Sequence, residues 1–215
     1  MPFADLIREF DLDVRGVLHL GAHLGEEAEV YWQDGVSRVY WVEANPELMI
    51  PLKYHVRGFP GQSAYEGLLA DEPGKEMTFH VSSCSTTPEG SIDHQASSLF
   101  ELGQHVEFAP DVSFGRDLTL VSTTVDELVA EHGMDFNFMN LDLQGAELLA
   151  LRGATTALEA CDAVYTEVNR AEVYLGCAQI EEVDALLVDA GFEQVRCVWE
   201  HNAQTWGDAF YRRMQ

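Results

Sequence analysis

Val17-Leu18-His19-Leu20-Gly21-Ala22-His23-Leu24-Gly25-Glu26, followed after a helical stretch by Val42-Glu43-Ala44-Asn45-Pro46, decides how this chain is read. An apolar run ends in a glycine turn, a helical pattern follows, and a second apolar run ends in a carboxylate. The 22 residues from Gly21 to Glu43 are close to the ~20 that separate the glycine turn from the ribose-binding acid in a nucleotide-binding βαβ unit. Glycines let backbone amides approach a ligand closely, and a carboxylate at the end of the second strand can accept hydrogen bonds from both ribose hydroxyls. A dinucleotide site usually carries G-x-G-x-x-G, its second glycine admitting the pyrophosphate. Here Ala22 follows Gly21, and His23 stands in the place of that second glycine. This crowds a diphosphate and suits an adenosine ligand without phosphates, such as S-adenosylmethionine, whose carboxylate would lie near the amides of a helix start. The competing reading is a plain βα turn whose glycines serve only tight packing.

The remaining elements extend the alternation. Met1–Phe10 reads as a short amphipathic helix, Val17–Leu20 as a buried strand, Gly25–Gln33 as a helix and Arg38–Val42 as a strand. Pro46–Val56 is the next helix, with Asn45 as N-cap and Pro46 at the first helical position. Ser63–Leu69 and Glu76–Ser82 read as strands around the turn Glu72-Pro73-Gly74-Lys75. Ser83–Leu118 has little periodicity, and a loop of this length inside one domain reads as a substrate lid or a passive insertion. Beyond it come the strand Leu118–Val121, the helix Thr123–His132, the strand Phe136–Leu141 and a helical stretch Ala146–Glu159 broken around Arg152-Gly153. The strand Ala163–Glu167 and the helix Gln179–Ala190 follow, and Phe192–Trp199 and Asp208–Arg212 form an antiparallel pair. Alternating βα units closed by a strand pair imply a doubly wound, mostly parallel α/β sheet in one domain, residues 1–215.

Composition narrows the partners. The chain has 215 residues and a formal net charge of −25, with 12 basic residues of which only Lys53 and Lys75 are lysines. Such a field repels nucleic-acid backbones. It also suits a high-salt setting, where self-repulsion is screened and the melting temperature is expected to rise between low and molar salt. No apolar run reaches the ~18 residues of a membrane span and no leader pattern opens the chain, so a cytoplasmic protein is expected. Cys84, Cys161, Cys177 and Cys197 are scattered without zinc-ligand spacing, which gives free thiols and no metal ligand set.

At Phe138-Met139-Asn140-Leu141-Asp142-Leu143-Gln144-Gly145-Ala146-Glu147 and Leu151-Arg152-Gly153-Ala154 the chain resembles the FkbM family of S-adenosylmethionine-dependent methyltransferases, with its Lys-Ile-Asp-Val-Glu-Gly-Ala-Glu run and Leu-Lys/Arg-Gly-Ala. The first glycine turn resembles the family's Asp-Val-Gly-Ala-Asn-x-Gly, and Glu43-Ala44-Asn45-Pro46 its Glu-Pro-Asn-Pro. Leu68–Gly74, Ser97-Ser98-Leu99, Thr124–Leu128 and Thr166-Glu167-Val168 match further segments in order, so the resemblance runs from about Val17 to Phe192. Four positions depart from it: His19 replaces the usual Asp, His23 an Asn, Asn140 a Lys and Gln144 a Glu.

The resemblance implies a class I, Rossmann-like methyltransferase that uses S-adenosylmethionine to methylate a hydroxyl of a small-molecule acceptor, a sugar or secondary metabolite. Gly21, Ala22, His23 and Gly25 would hold the methionine part, Glu43 and Ala44 the ribose, and Leu69 the adenine side, with Ser98 and Asp142 also at the cofactor. Asp142, Glu167 and His94 are the candidate catalytic groups, and His105 is a further imidazole in the same loop. Asp142, Glu167 and Asn169 offer hard oxygen ligands, so a divalent cation stands as an alternative to direct hydrogen bonding. A homodimer is left open. Two other functions remain: an NAD(P)-dependent oxidoreductase, which the missing glycine disfavours, and a degenerate nucleotide-binding module, which the replaced Lys and Glu positions suggest.

Overall fold

In the computed structural model, which describes residues 3–87, 94–200 and 204–214, the apolar runs become the centre of a seven-stranded sheet. Its strands are β1 (Val17–Leu20), β2 (Val39–Glu43), β3 (Gln62–Glu66), β7 (Phe138–Leu141), β8 (Ala163–Asn169), β9 (Phe192–Trp199) and β10 (Trp206–Arg213), in the order β3-β2-β1-β7-β8-β10-β9. The first five are parallel, and β10 runs antiparallel to both β8 and β9. β1 is buried along its whole length, as a strand covered on both faces must be. Leu18, Leu20, Val42, Met139 and Val164 feed one core, against α5 (Val125–His132), α6 (Glu147–Arg152), α7 (Thr155–Ala160) and α8 (Ile180–Asp189). Val17, Val39, Trp41, Phe138 and Phe210 feed the other, against α1 (Phe3–Phe10), α2 (Ala28–Gln33) and α3 (Met49–Val56). Met1 and Pro2 of the expected first helix lie outside the described residues.

Two expectations are corrected. Ser63–Leu69 is two strands: β3 stops at Glu66, and β4 (Leu68–Leu69) joins a separate three-stranded sheet of order β4-β6-β5. The break falls at Gly67, where a Cβ would stand 2.8 Å from Leu128 Cδ1. The helical stretch breaks at Gly153 as expected, giving α6 and α7, and a side chain at Gly153 would collide with the Ala70 carbonyl. Most consequential, the irregular segment does not extend to Leu118. β6 (Val112–Thr123) is a twelve-residue strand paired antiparallel with β5 (Glu76–Cys84). Its alternation is interrupted by Gly115-Arg116-Asp117, and the register shifts between Val81 and Ser82 as at a β-bulge.

The remaining described part of the segment carries one short helix, α4 (His105–Phe108), and is tied down at several points. Ser98 pairs with His80, Leu102 pairs with Tyr174, and Ser98 Oγ donates to the Gln144 carbonyl (2.6 Å). Residues 88–93 of the expected lid lie outside the described residues. The segment and the β5–β6 hairpin together wall one side of a cleft at the carboxyl ends of the parallel strands.

Candidate active site

The site begins at the turn after β1. Gly21 has φ +89°, and a side chain there would collide with the Asp142 carbonyl; glycine is the residue that reaches this backbone shape without penalty. The amides of Gly21 and Ala22 both donate to Val42 O (2.9 and 3.0 Å). Glu43, buried at the end of β2, accepts from His23 N through Oε2 (2.8 Å) and from Asn45 N through Oε1 (2.7 Å). Its carboxylate therefore clasps the glycine turn to the loop before α3, and each oxygen keeps a second lone pair for a ligand. His23 Nδ1 meets Glu26 Oε1 at 2.5 Å.

Strand register aligns the next groups. Leu20 pairs with Val42 and with Leu141, Leu141 pairs with Thr166, and Glu167 pairs with Asp208. One residue further along the parallel strands, Glu43, Gly21, Asp142 and Glu167 form a row across β2, β1, β7 and β8. Asp208 on β10 completes it. A cavity of about 650 Å³ opens along this row, within the usual size range for small-ligand sites. Gly21, Ala22, His23, Glu43, Ala44, Leu69, His94, Asp142 and Glu167 all line it. Leu68, Leu69, Leu143 and Ala44 supply apolar wall, and no lysine or arginine lines the cavity among the described residues.

Crowding and like charge raise the acids. Asp142 opens onto the cavity, yet protein surrounds its other sides, and this burial pushes its pKa up to about 6. Glu27 and Asp208 act in the same direction, while the 2.5 Å hydrogen bond from Gln144 Nε2 opposes it. Burial pushes Glu147 up to about 7, with Asp142 adding, against the amides of Leu143 and Gly145 donating to its Oε1. Burial together with Asp142, Glu147 and Asp208 holds Glu167 well above the ordinary carboxylate range.

Beneath the row lies a neutral network. His19 is buried, its pKa is lowered to about 3 by desolvation, and its Nδ1 lies 3.0 Å from the Tyr31 hydroxyl and 3.3 Å from Asn140 Nδ2. Asn140 Nδ2 also donates to Tyr31 (2.9 Å). Gln144, at φ +52°, donates to Asp142 and accepts from the Tyr174 hydroxyl (2.5 Å).

Two expected residues do not line the cavity. Gly25 has φ +75° and packs beneath α3, where a Cβ would meet Leu52 and Val56 at 3.0 Å. Ser98 is fully buried, and its hydroxyl donates to Gln144 O and accepts from Phe100 N. Each shapes the site from behind. His94 lines the cavity and donates from Nδ1 to Ser82 O (2.7 Å), which leaves Nε2 as its acceptor in the neutral form. The metal alternative loses a member, because Asn169 is buried outside the cavity lining. Among the described residues no group of three or more His, Cys, Asp or Glu is arranged to hold a metal ion.

Sequence reasoning did not assign Asp208, Trp206, Gln144 or Glu147 to the site. Trp206 and Asp208 lie 39 and 41 residues beyond Glu167, the last assigned acid, in an antiparallel strand; pairing that strand with Ala163–Glu167 would have found them.

This strand order, with a glycine turn and an acid converging on one crevice at the strand ends, is the fold of the class I methyltransferases. The model of the methyltransferase FkbM domain matches residues 19–193, and the chain belongs to that family. It is similar in fold to magnesium protoporphyrin IX methyltransferase from Synechocystis PCC 6803, crystallised with bound SAH, at 10% identity and a TM-score of 0.53 over 98% of this chain and 80% of that one. A second similar structure is Aeropyrum pernix fibrillarin in complex with S-adenosyl-L-methionine, at 13% identity and a TM-score of 0.51 over 92% and 66% of the two chains. A search of curated proteins finds no match. No helix among the described residues is long and apolar enough to cross a membrane.

Proposed function

We propose that the chain is an S-adenosylmethionine-dependent O-methyltransferase whose acceptor is a hydroxyl of a small molecule, a sugar or secondary metabolite. The observation that carries this reading is the placement of Gly21 and Glu43 side by side at one end of a single cavity, in a chain of the FkbM family. The residues fit the cofactor. Gly21 lets the turn pack against the Asp142 carbonyl at the cavity wall, the free lone pairs of Glu43 suit two ribose hydroxyls, and Ala44, Leu68 and Leu69 offer apolar wall to an adenine. His23 fills the place where a dinucleotide motif has glycine, which speaks against NAD(P).

When bound, the cofactor supplies an electrophilic methyl group and leaves as a neutral thioether. The chain's own work is alignment, exclusion of water and acceptance of a proton; orientation alone can supply ~7–11 kcal/mol. Asp142, beside Gly21, is the group we assign to accept the hydroxyl proton. Its raised pKa makes it a stronger base than an ordinary carboxylate while leaving it mainly ionised above pH 7. Gln144 holds its Oδ1, and Tyr174 holds Gln144.

Calorimetry with S-adenosylmethionine, S-adenosylhomocysteine and NAD tests the reading. Saturable binding of both sulfur compounds and none of NAD is expected. Tight NAD binding without response to either would overturn it, and cofactor binding without methyl transfer to any hydroxyl in a broad metabolite panel would favour the degenerate module.

A further inference from the structure

The far end of the cavity has a chemistry that the cofactor does not use. Glu167 and Asp208 stand directly opposite each other in the β8–β10 register, which puts their side chains on one face, their Cβ atoms ~5 Å apart. Neighbouring strands are ~4.8 Å apart, so these acids lie roughly 10 and 14 Å from Gly21, beyond the turn that would hold the methionine part of the cofactor. Trp206, two residues before Asp208 on the same face, also lines the cavity. An independent observation points to a ligand here. His105 lines the same cavity, is 9% exposed, and its Nδ1 has no hydrogen-bond partner. The chain docks it on the segment that follows β8, because Gln104 N donates to Glu172 O (2.8 Å) and His105 N to Val173 O (3.1 Å). A buried polar atom without a partner is costly unless a ligand satisfies it.

Two carboxyl groups, an indole and a buried imidazole line this end, and among the described residues no lysine or arginine lines the cavity. Such a wall repels phosphate and carboxylate groups and suits an ammonium, which donates three hydrogen bonds and is attracted to an aromatic face. We propose that the acceptor hydroxyl is carried by a molecule with a protonated amine, an amino sugar or amino alcohol, whose ammonium is seated by Glu167 and Asp208 against Trp206 and His105. Glu167 then positions the acceptor, and Asp142 remains the group at the reacting hydroxyl. Burial and neighbouring acids hold Glu167 well above its ordinary range, as expected of a carboxylate whose counter-ion arrives with the substrate. The inference rests on the methyltransferase reading and deepens it.

The test is ligand-observed NMR titration of the protein saturated with S-adenosylhomocysteine, so that the cofactor's own ammonium is not what is measured. Glucosamine, N-acetylglucosamine and glucuronate share a ring and differ in charge. Glucosamine is expected to bind at least about tenfold more tightly than the other two, and Glu167→Gln/Asp208→Asn is expected to abolish the preference. The control is internal: the double variant removes only two of 37 acidic residues, so a preference that came from overall charge would persist. Asp208→Asn alone serves if the double variant does not fold. Equal binding of the three sugars, no binding of glucosamine, or a preference that survives in the variant would overturn the amine seat. Failure of S-adenosylhomocysteine itself to bind would instead remove the methyltransferase reading on which it rests.

Discussion

Glu43→Gln separates the two duties of the acid at the end of β2. The wild-type carboxylate accepts from His23 N and Asn45 N, one bond per oxygen (2.8 and 2.7 Å). Glutamine keeps the size and one acceptor, so one of these amides must face an NH₂ group and lose its bond. An unsatisfied buried N–H costs ~1–3 kcal/mol. For a domain of this length each kcal/mol lowers the melting temperature by ~2–4 °C, so a fall of roughly 2–12 °C is expected with the fold retained. The ribose loses a charge-assisted partner as well, worth ~1.5–3 kcal/mol, or ~10- to 100-fold in dissociation constant. Calorimetric titration with S-adenosylhomocysteine well below the variant's melting temperature reads the second effect free of the first. A variant that melts early yet binds with the wild-type dissociation constant would refute the ribose assignment and leave Glu43 as a clasp between the glycine turn and the α3 loop. Glu43→Ala leaves both amides without an acceptor and is expected to lose more stability than the glutamine variant.

Four further outcomes are expected. Gly21→Ala, forced to φ +89° and into the Asp142 carbonyl, should abolish cofactor binding by calorimetry and destabilise the fold by more than 1 kcal/mol in urea unfolding. The methyl-transfer rate should rise with pH through about 6 as Asp142 ionises, and Asp142→Asn should remove that limb and most of kcat; an unchanged limb would move the base elsewhere. Glu147, at about 7 in the fold against an ordinary 4.5, favours the native state below about 4.5 and loses that contribution as pH rises through 7; melting temperatures should therefore fall between pH 5 and 8, and Glu147→Gln should flatten the fall. His19→Asp should destabilise, Asn140→Lys likewise, and the double variant should recover part of the loss in a double-mutant cycle, because the two positions are register partners.

The parts that were legible in the sequence share one physical cause. β1, β2, β7 and β8 are central or near-central parallel strands, covered by helices, so each reads as an apolar run that stops where the chain emerges into the crevice. Gly21 and Asp142 follow the last residues of β1 and β7 and Glu43 ends β2, so each is announced by the end of hydrophobicity itself, whereas Glu167 is marked only as the acid within β8, which runs on to Asn169. Asp208 carries no such mark. It lies near the start of an antiparallel strand, and only knowledge that β10 inserts between β8 and β9 places it beside Glu167. β6 was hidden because its exposed, half-buried alternation is broken at the Gly115 bulge. His105 was legible as a candidate imidazole in the loop, but its burial was not, since that depends on α4 docking against Glu172 and Val173 far along the chain.

The departures from the family pattern acquire a common logic once their contacts are known. His19 and Asn140 stand at paired positions of β1 and β7, where the pattern has an Asp and a Lys. An ion pair there would lie where desolvation is strong enough to push a histidine down to about 3, and a buried pair recovers its desolvation penalty only with excellent geometry. Replacing both members with neutral groups removes the penalty, and Tyr31 ties imidazole and amide together. Gln144 follows the same logic. A glutamate at that place would add a fourth carboxylate to Asp142, Glu147 and Glu167, each already raised by burial and by its acidic neighbours. The amide instead donates to Asp142 and accepts from Tyr174, which restrains the assigned base without adding charge. The substitutions thus withdraw charge from beneath the row and beside the base, while the carboxyl groups of Glu43, Asp142, Glu167 and Asp208 line the cavity itself. That distribution is the one expected of a working site whose negative potential is directed at its ligands, and it argues against reading the replaced positions as decay.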